Sequence, residues 1–475
     1  LKAYSEKTDK DYDPLKDPSI DQSLLGHTYQ VVMPMTVTKV KDGHTVENTA
    51  TQVTNDKRDK TNTVTNPLKE INPTKDVTVK VGGDSIDGKS VYLNHTFLYR
   101  LDSSILPPDR AYQTVTDWGG TDQLNTEYDQ YLGNWAVYAS RDLYRDGQVI
   151  AARGEKIAGS GFDSSKFGGN LFTVDADDNG KVTADATQAY LDLVSADNEH
   201  EAGWVLYLQC KRIAVADEVP NTWTETINGQ PRESNKVVTK TPDMTPSIHL
   251  EKVDTPTLKQ DGQEQADRDD PKQALKMDAD NIGITFIITN TSKTDPATGD
   301  GAWYKASDLN LDDSTIVGDA HVDMDSLTYP DNWDTLVLKP GESVSVTGTL
   351  KGVKEGDTHT DRAIVTGTPL VECAPSNGDP FNDKTDGGED TDPEYSTGDV
   401  TEIDGKQLCA DTQTASNTDD WNGYRAKPLA STGAAVLGLA GGALAVLLAG
   451  GSLLVFRKRH CAQGSGRHTA VNAGK

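Results

Sequence analysis

Cysteine, aromatic and basic residues are scarce in this 475-residue chain, and each shortage excludes something. Four cysteines are too few for disulfides to be the main stabilising element of a chain this long. Lys and Arg number 46 against 74 Asp and Glu, which argues against nucleic acid as a partner because a phosphate backbone requires a basic face. Hydrophobic residues make up only 35% and aromatic residues 6%, which is typical of exposed β domains with small cores and not of helical enzymes.

Catalytic motifs are also missing from the sequence. The nine histidines form no His-x-x-x-His pair or His/Cys cluster, and there is no Gly-x-Ser-x-Gly element, phosphate-binding glycine loop or paired-carboxylate motif. We therefore expect no enzymatic activity and no required cofactor. The chain starts at Leu1 without an initiator Met or a signal peptide, which we interpret as a fragment or a processed form.

An internal repeat is the most informative feature that is present. Alternating β-branched residues around it predict strands. We interpret residues 1–66 as the C-terminal part of a truncated β-sandwich domain and 67–243 as a complete copy. The matching segments lie 173 positions apart without a gap: Asn48-Thr49-Ala50-Thr51 with Asn221-Thr222-Trp223-Thr224, Asn55 with Asn228, and Asn62-Thr63-Val64 with Asn235-Lys236-Val237.

A different strand pattern begins near residue 244. Residues 244–415 are predicted to form an Ig-like β-sandwich domain with an acidic, Gly/Pro-rich loop at 374–408. The predicted fold class is therefore all-β, with tandem Ig-like β-sandwich domains followed by a C-terminal transmembrane helix.

Two polar loops hold candidate sites. Cys373 and Cys409 bracket the acidic loop and are predicted to form a disulfide. Asp175, Asp177 and Asn179 occupy the first, third and fifth positions of a calcium-type loop, but its last position lacks the bidentate Glu. A solvated turn and a calcium site therefore both remain open for this loop.

One long hydrophobic run is present, near the C-terminal end. Residues 434–456 carry no charge. At about 1.5 Å per residue, this run can cross a hydrocarbon core of roughly 30 Å as a helix. The basic residues that follow would keep the tail, 457–475, on the cytoplasmic side. A plain single-pass membrane anchor is one interpretation.

The residues just before this run favour another interpretation. Leu429-Ala430-Ser431-Thr432-Gly433, the apolar run and the basic tail together resemble the sorting signal of Gram-positive surface proteins, in the Leu-Ala variant used by some actinobacterial sortases. The resemblance implies that 416–433 is a spacer with a sorting motif. It also implies that a sortase cleaves between Thr432 and Gly433 and joins Thr432 to cell-wall peptidoglycan. The run would then hold the chain in the membrane only before sorting, with the preceding domains outside the cell.

A second resemblance covers about residues 25–240. Pro73–Val77, Val91–Leu101 and Glu233–Val237 resemble the C-terminal adhesin domains of the streptococcal antigen I/II family and related actinobacterial surface proteins. In that family a first-strand lysine and a last-strand asparagine join through an intramolecular isopeptide bond, helped by a buried aspartate.

By position, this resemblance assigns Lys75 and Asn235 to the isopeptide bond and Asp117 to the promoting acid, with Asp122 and Asp129 close in sequence. Burial favours a neutral lysine amine, and a protonated carboxyl group beside it would polarise the amide carbonyl. The alternative is that Lys75 and Asn235 are ordinary surface residues flanking a linker.

Further cross-link candidates follow by analogy. Asn62 is the counterpart of Asn235 in the first copy. In the third domain the analogous pair is Lys252 with Asp361, and the alternative is that Asp361 is an exposed residue near a strand start.

Together these features predict a cell-wall-anchored surface adhesin or adhesin stalk that displays a distal binding region to a host or microbial surface ligand. Two alternatives remain. The chain could be the accessory stalk of a wall-bound enzyme whose catalytic part lies upstream, or a pilus subunit.

Overall fold

A computed structural model describes residues 30–428 except 36, 38, 40–42, 55, 112, 256–267, 376 and 382–399. Strands dominate this part, which confirms the all-β prediction. The predicted membrane segment, 434–456, lies outside the described residues, and within them no helix is long and apolar enough to cross a membrane. The described helices are α1 (Gln188–Ala196) and short 3-10 turns at Ser165–Phe167, Pro271–Gln273, Ala306–Asp308 and Met324–Ser326.

The N-terminal described segment forms two antiparallel strand pairs. β1 pairs with β4, and β2 pairs with β3. The side chains of all four strands are exposed. Their bounds are β1 (Thr45–Asn48), β2 (Thr51–Thr54), β3 (Lys57–Lys60) and β4 (Val64–Pro67).

The next domain is a sandwich of two five-stranded antiparallel sheets. The first has the order β11-β8-β14-β6-β5 and the second β12-β13-β7-β16-β17, while β9–β10 and β15–β18 form separate pairs. The bounds are β5 (Thr74–Thr78), β6 (Thr96–Asp102), β7 (Trp118–Gln123), β8 (Asp129–Ala139), β9 (Leu143–Arg145), β10 (Gln148–Ala151), β11 (Lys156–Gly159), β12 (Phe172–Ala176), β13 (Lys181–Ala186), β14 (Trp204–Arg212), β15 (Ala216–Asn221), β16 (Trp223–Ile227), β17 (Gln230–Glu233) and β18 (Val237–Thr241).

The core of this domain lies between the two sheets. Trp118, Trp204 and Trp223 are at most 1% exposed. The Trp204 ring lies between the other two, with its centroid 6.2 Å from that of Trp118 and 5.8 Å from that of Trp223. Successive strand residues point to opposite faces, so every second residue of β16 enters this core. The tryptophans therefore stabilise the sandwich from inside.

The sequence repeat is also a structural repeat. β3 and β17 occupy equivalent positions, and so do β4 and the start of β18. Asn48 lies opposite Val64 in the first copy, and Asn221 lies opposite Val237 in the second. The two copies therefore share strand pairing, although Asn48 is exposed and Asn221 is buried.

The third domain packs two four-stranded sheets around a separate core. Their orders are β19-β21-β26-β24 and β20-β31-β27-β23. The last strand, β31, includes residues 416–424, which were predicted to be spacer. The bounds are β19 (Ile248–Thr255), β20 (Leu275–Lys276), β21 (Asn281–Asn290), β22 (Tyr304–Lys305), β23 (Asn310–Val317), β24 (His321–Val322), β25 (Val337–Leu338), β26 (Ser343–Lys351), β27 (Thr358–Gly367), β28 (Leu370–Glu372), β29 (Thr401–Ile403), β30 (Lys406–Ala410) and β31 (Ala415–Tyr424).

Candidate functional site

Lys75 extends from one sheet of the second domain to the other. It lies on β5, the edge strand of the first sheet, where Lys75 is buried between exposed Thr74 and half-buried Asp76. Its Nζ forms an ion pair with the carboxylate of Asp122 on β7 of the second sheet. The side chains of both residues are fully or almost fully buried, and Nζ lies 4.5 Å from the centroid of the Tyr99 ring. The lysine amine is therefore enclosed inside the sandwich.

Burial makes this amine unusually easy to deprotonate. Desolvation lowers the pKa of Lys75 below its ordinary value, and the Asp122 carboxylate partly opposes that shift. Asp122 Oδ1 has no hydrogen-bond partner among the described residues. A buried amine beside a carboxyl group with one uncommitted oxygen can act as a nucleophile next to a proton donor and acceptor.

The other buried carboxylates of this core are already satisfied. Asp129 accepts hydrogen bonds from Arg212 Nε at 2.8 Å and from the Tyr99 hydroxyl at 2.8 Å. Glu225 accepts from Trp118 Nε1 at 2.8 Å and from the Ser104 N–H at 2.9 Å. These two acids serve as structural hydrogen-bond acceptors, which leaves Asp122 as the acid directly paired with Lys75.

The structure does not bring Asp117, the acid assigned from sequence, to Lys75. The Asp117 carboxylate accepts a hydrogen bond from the Gly229 N–H at 3.0 Å, just before β7 begins. Asp122 is near the other end of that strand, about 16 Å away at roughly 3.3 Å per residue. Because strand side chains alternate, Asp122 lies on the same core-facing side of β7 as Trp118, four positions earlier. This alternation is the sequence signal that favours Asp122 over Asp117 as the acid.

Asn235 contacts Lys75 through the main chain and not through the amine. Its Oδ1 accepts from the Lys75 N–H at 2.8 Å, and its Nδ2 donates to the Lys75 carbonyl at 2.9 Å. Asn235 itself is exposed. Its carboxamide therefore caps the backbone of an edge strand, on the opposite side from the buried Nζ.

Asn221 is a carboxamide that sequence reasoning did not assign. It ends β15, is 6% exposed, and its Nδ2 has no hydrogen-bond partner in the described part of the chain. Trp223, two residues later at the start of β16, pairs with Asp122 in register. The Trp223 indole also donates to the carbonyl of Thr74, directly before Lys75, at 3.0 Å. These constraints place Asn221, Asp122 and Lys75 at the same end of the core.

The third domain contains a similar buried lysine. Lys252 on β19 is fully buried, and its Nζ lies 2.5 Å from Asp313 Oδ2 and 2.6 Å from Asp361 Oδ2. The contact with Asp361 has ion-pair distance without hydrogen-bond geometry. His359 Nε2 is 3.0 Å from Asp361 Oδ2. The structure thus brings together the predicted pair Lys252 and Asp361 and adds a second acid, Asp313.

One amine cannot neutralise two buried carboxylates. Desolvation raises the pKa of Asp313 to about 6, although Lys252 opposes the shift. Asp313 and Asp361 lie on β23 and β27 of the sheet opposite Lys252, so the lysine again extends across the sandwich. Asp419 Oδ2 accepts from the Lys252 N–H at 2.5 Å, as Asn235 does for Lys75. The two domains therefore share one arrangement around a first-strand lysine.

The remaining predicted site residues lie elsewhere. Asn62 is exposed in the first copy. Asp177 Oδ1 accepts from the N–H groups of Asn179 and Lys181, both at 2.9 Å, and this closes the turn between β12 and β13. Among the described residues, no group of three or more His, Cys, Asp and Glu side chains is arranged to hold a metal. Leu429, Ala430, Thr432 and Gly433 lie outside the described residues.

Cys373 and Cys409 form a disulfide with their Cα atoms 4.9 Å apart. It joins the segment after β28 to β30, which pairs with β28. Cys210, the other described cysteine, is buried in the second domain.

Replacing Cys373 and Cys409 together by Ala should lower the free energy of unfolding of the third domain by about 3–4 kcal/mol, because the bridge closes a chain segment of 36 residues. Urea unfolding followed by fluorescence measures the change. Reducing agent should destabilise the parent protein equally and leave the variant unaffected. Equal stability of oxidised and reduced parent protein would contradict this expectation.

Comparisons with known proteins match the first two segments of the chain. Residues 72–242 match the family model "Cell surface antigen C-terminus". Residues 1–68 match "Cell surface antigen I/II C2 terminal domain". Aggregation substance of Enterococcus faecalis is 36% identical over 233 residues, which cover 48% of this chain and 17% of that protein.

Solved structures give weaker matches. The C-terminal domain of the Streptococcus pyogenes antigen I/II-family protein AspA is 28% identical, with 42% of this chain and 54% of that chain covered and a TM-score of 0.36. The Corynebacterium diphtheriae major pilin SpaA is 10% identical, with 63% of this chain and 61% of that chain covered and a TM-score of 0.26. Residues 1–68 and 72–242 are thus similar to C-terminal domains of cell-surface antigens, and the two family matches together with the Enterococcus faecalis relative support a surface adhesin.

Proposed function

We propose that this chain is a cell-wall-anchored adhesin stalk whose domains are locked by internal amide bonds. The observation that carries the proposal is the buried ion pair of Lys75 with Asp122, together with a buried carboxamide at the same end of the core: Asn221, whose Nδ2 has no hydrogen-bond partner among the described residues. A buried lysine charge is costly even when it is paired, and a purely structural ion pair does not require an uncommitted carboxamide at the same end of the core.

The proposed reaction is an amide exchange. The neutral Nζ of Lys75 attacks Cγ of Asn221, the new C–N bond forms, and the original C–N bond breaks to release ammonia. Asp122 takes a proton from the amine and delivers one to the leaving nitrogen. Enclosure in the core holds the groups together, which replaces a slow encounter by a reaction within one molecule. This pairing revises the predicted pair of Lys75 with Asn235, and the predicted acid Asp117.

In the third domain the same logic favours an amide between Lys252 and Asp361. Here the leaving group is water, because a carboxylic acid replaces the carboxamide. Asp313, whose pKa is raised to about 6, is suited to carry the proton during the reaction. The Lys252 amine contacts both acids, so peptide mapping decides which carboxyl group is joined.

Such bonds would suit a load-bearing stalk. In the second domain Lys75 lies on the first strand, and Asn221 lies near the C-terminal end of the domain. A pulling force would therefore pass through a bond between them, and most of the domain would carry no load. The sheets could then not unzip while the bond is intact. We propose that this shaft displays a distal region that binds a host or microbial surface ligand, and that the chain itself catalyses no turnover.

Attachment to the wall is proposed from the sorting-type sequence. A sortase would cleave after Thr432 and transfer the chain to a peptidoglycan amine, with the apolar run 434–456 holding the precursor in the membrane until then.

Thr432→Ala should move the protein from the wall fraction to the membrane or the medium, because the sorting motif loses the threonine after which the sortase cleaves. Fractionation of the native host, with wall-degrading enzyme and with detergent, measures the distribution. Ser431→Ala is the matched control and should remain in the wall, since this position varies in the motif. Detergent-resistant wall attachment of Thr432→Ala would refute the anchoring proposal.

A further inference from the structure

The outer face of the first five-stranded sheet carries a second apolar cluster. On the central strand β14, Val205 and Tyr207 point away from the main core, which explains why nearly all of β14 is buried on both faces. Phe381, from the acidic loop of the third domain, covers this face and is 1% exposed. The other members of the cluster are Leu98, Ala136 and Tyr138.

Polar contacts hold Phe381 in place. Lys156 Nζ, in a residue only 6% exposed, donates to the Phe381 carbonyl at 2.9 Å. Gln209 Nε2 donates to the Gly378 carbonyl at 3.1 Å. Asp379 Oδ1 accepts from the Phe381 N–H at 2.9 Å, which bends the segment into a turn. Both the side chain and the backbone of this segment are therefore matched to the second domain.

The disulfide fixes the base of the same segment. Cys373 precedes Phe381 by eight residues and is bonded to Cys409 on β30. A short tether gives Phe381 a high effective concentration at the apolar face, so docking needs little intrinsic affinity.

A separate group of contacts joins the two domains at a second place. The Tyr92 hydroxyl of the second domain donates to Asp300 Oδ2 of the third at 2.9 Å. Lys293 of the third domain pairs with Asp243 beside the linker. Two separated points of attachment prevent a hinge motion that either one alone would allow.

We propose that residues 377–381, the Phe381 strap, lock the second and third domains into one rigid body. The strap makes the stalk stiff between domains, whereas the proposed amide bonds act within each domain. Its release exposes the apolar face around Tyr207 and frees Lys156.

Amine-reactive mass footprinting of the full chain tests strap docking. Lys156 should be protected in the parent protein and should react at least about tenfold faster in Phe381→Asp and Phe381→Ala. In both variants the strap should undock, so the Lys156 amine loses its hydrogen bond to the carbonyl of residue 381 and is no longer covered by the aromatic ring. Asn377→Ala, an exposed position in the strap, is the matched control and should keep Lys156 protected. Exposed Lys181 should react equally in all four proteins. Fast reaction in the parent, or unchanged protection in both Phe381 variants, overturns the proposal.

Rigidity is tested separately by electron–electron distance measurement. Spin labels are placed at exposed Thr173 and Ser345, in the second and third domains, in a chain with Cys461 replaced by Ser. One narrow distance distribution is expected for the parent and Asn377→Ala, and a broadened one for Phe381→Ala. Circular dichroism should show both domains folded, because Phe381 belongs to neither main core. Equal widths in all variants would refute the rigid-body proposal, even if Lys156 becomes reactive.

Discussion

Lys75→Ala should abolish the deficit of one ammonia that the second-domain bond gives the parent relative to its sequence mass, and should make the second domain much less stable. The parent bond would close a loop of about 150 residues, and by the chain-entropy argument for cross-links its loss costs about 5 kcal/mol. For a domain of this size that corresponds to a melting temperature roughly 10–20 °C lower. Intact mass spectrometry and calorimetry measure the two effects on the full chain.

Variants of the acid and the two asparagines identify the bonded pair. Asp122→Ala and Asn221→Ala should both lack the bond, although each retains Lys75. Asn235→Ala should keep the bond and lose only the hydrogen bonds to the Lys75 main chain, a cost of about 1 kcal/mol. Asp117→Ala should also keep it. If the parent mass equals the sequence mass, no amide bond exists and the proposal fails.

The second large effect is expected at Lys252. Lys252→Met removes the amine that contacts Asp313 and Asp361, so the proposed amide cannot form. A buried carboxylate without its partner costs about 3–5 kcal/mol, in addition to the loss of that bond. Denaturant unfolding of the third domain measures this loss. Lys354→Met removes an exposed pair with Asp319 and should change stability by less than about 1 kcal/mol.

The pH dependence of Lys252→Met adds a specific test. Burial raises the pKa of Asp313 to about 6 in the parent, and loss of the lysine should raise it further. A raised folded-state pKa contributes stability that is present below the unfolded pKa and is lost as pH rises through the folded value. The variant should therefore recover stability between pH 7 and about pH 5. Asp313→Asn with Asp361→Asn in the same background should also restore stability, and equal deficits at both pH values would contradict the buried-charge explanation.

The features that the sequence predicts correctly are those with a local signal. Alternating β-branched residues predicted strands, and the 173-residue displacement of Asn48 and Asn221 matches equivalent strand pairings. The positions of Cys373 and Cys409 around an acidic loop were sufficient to suggest the disulfide that the structure contains. These features depend on chain composition and spacing, which a sequence displays directly.

Which acid and which carboxamide meet Lys75 depends on contacts between strands that are far apart in the sequence. Asp117 and Asp122 are five positions apart and of the same residue type, and only the alternation of side chains along β7 directs Asp122 to the core. Asn235 is close to Lys75 in the fold but faces its backbone. The burial of Phe381 had no sequence signal at all, since a single aromatic residue in an acidic loop resembles a solvated turn.

The sequence by itself determined that this protein is an acidic, strand-rich chain with a repeated domain and first-strand lysines at Lys75 and Lys252. Only the tertiary structure decided which carboxyl and carboxamide groups each lysine meets, and that a strap from one domain covers the sheet of another. The physical reason is that hydrophobic burial sets strand alternation locally. Pairing across a sandwich instead depends on register and sheet order, which the complete fold establishes.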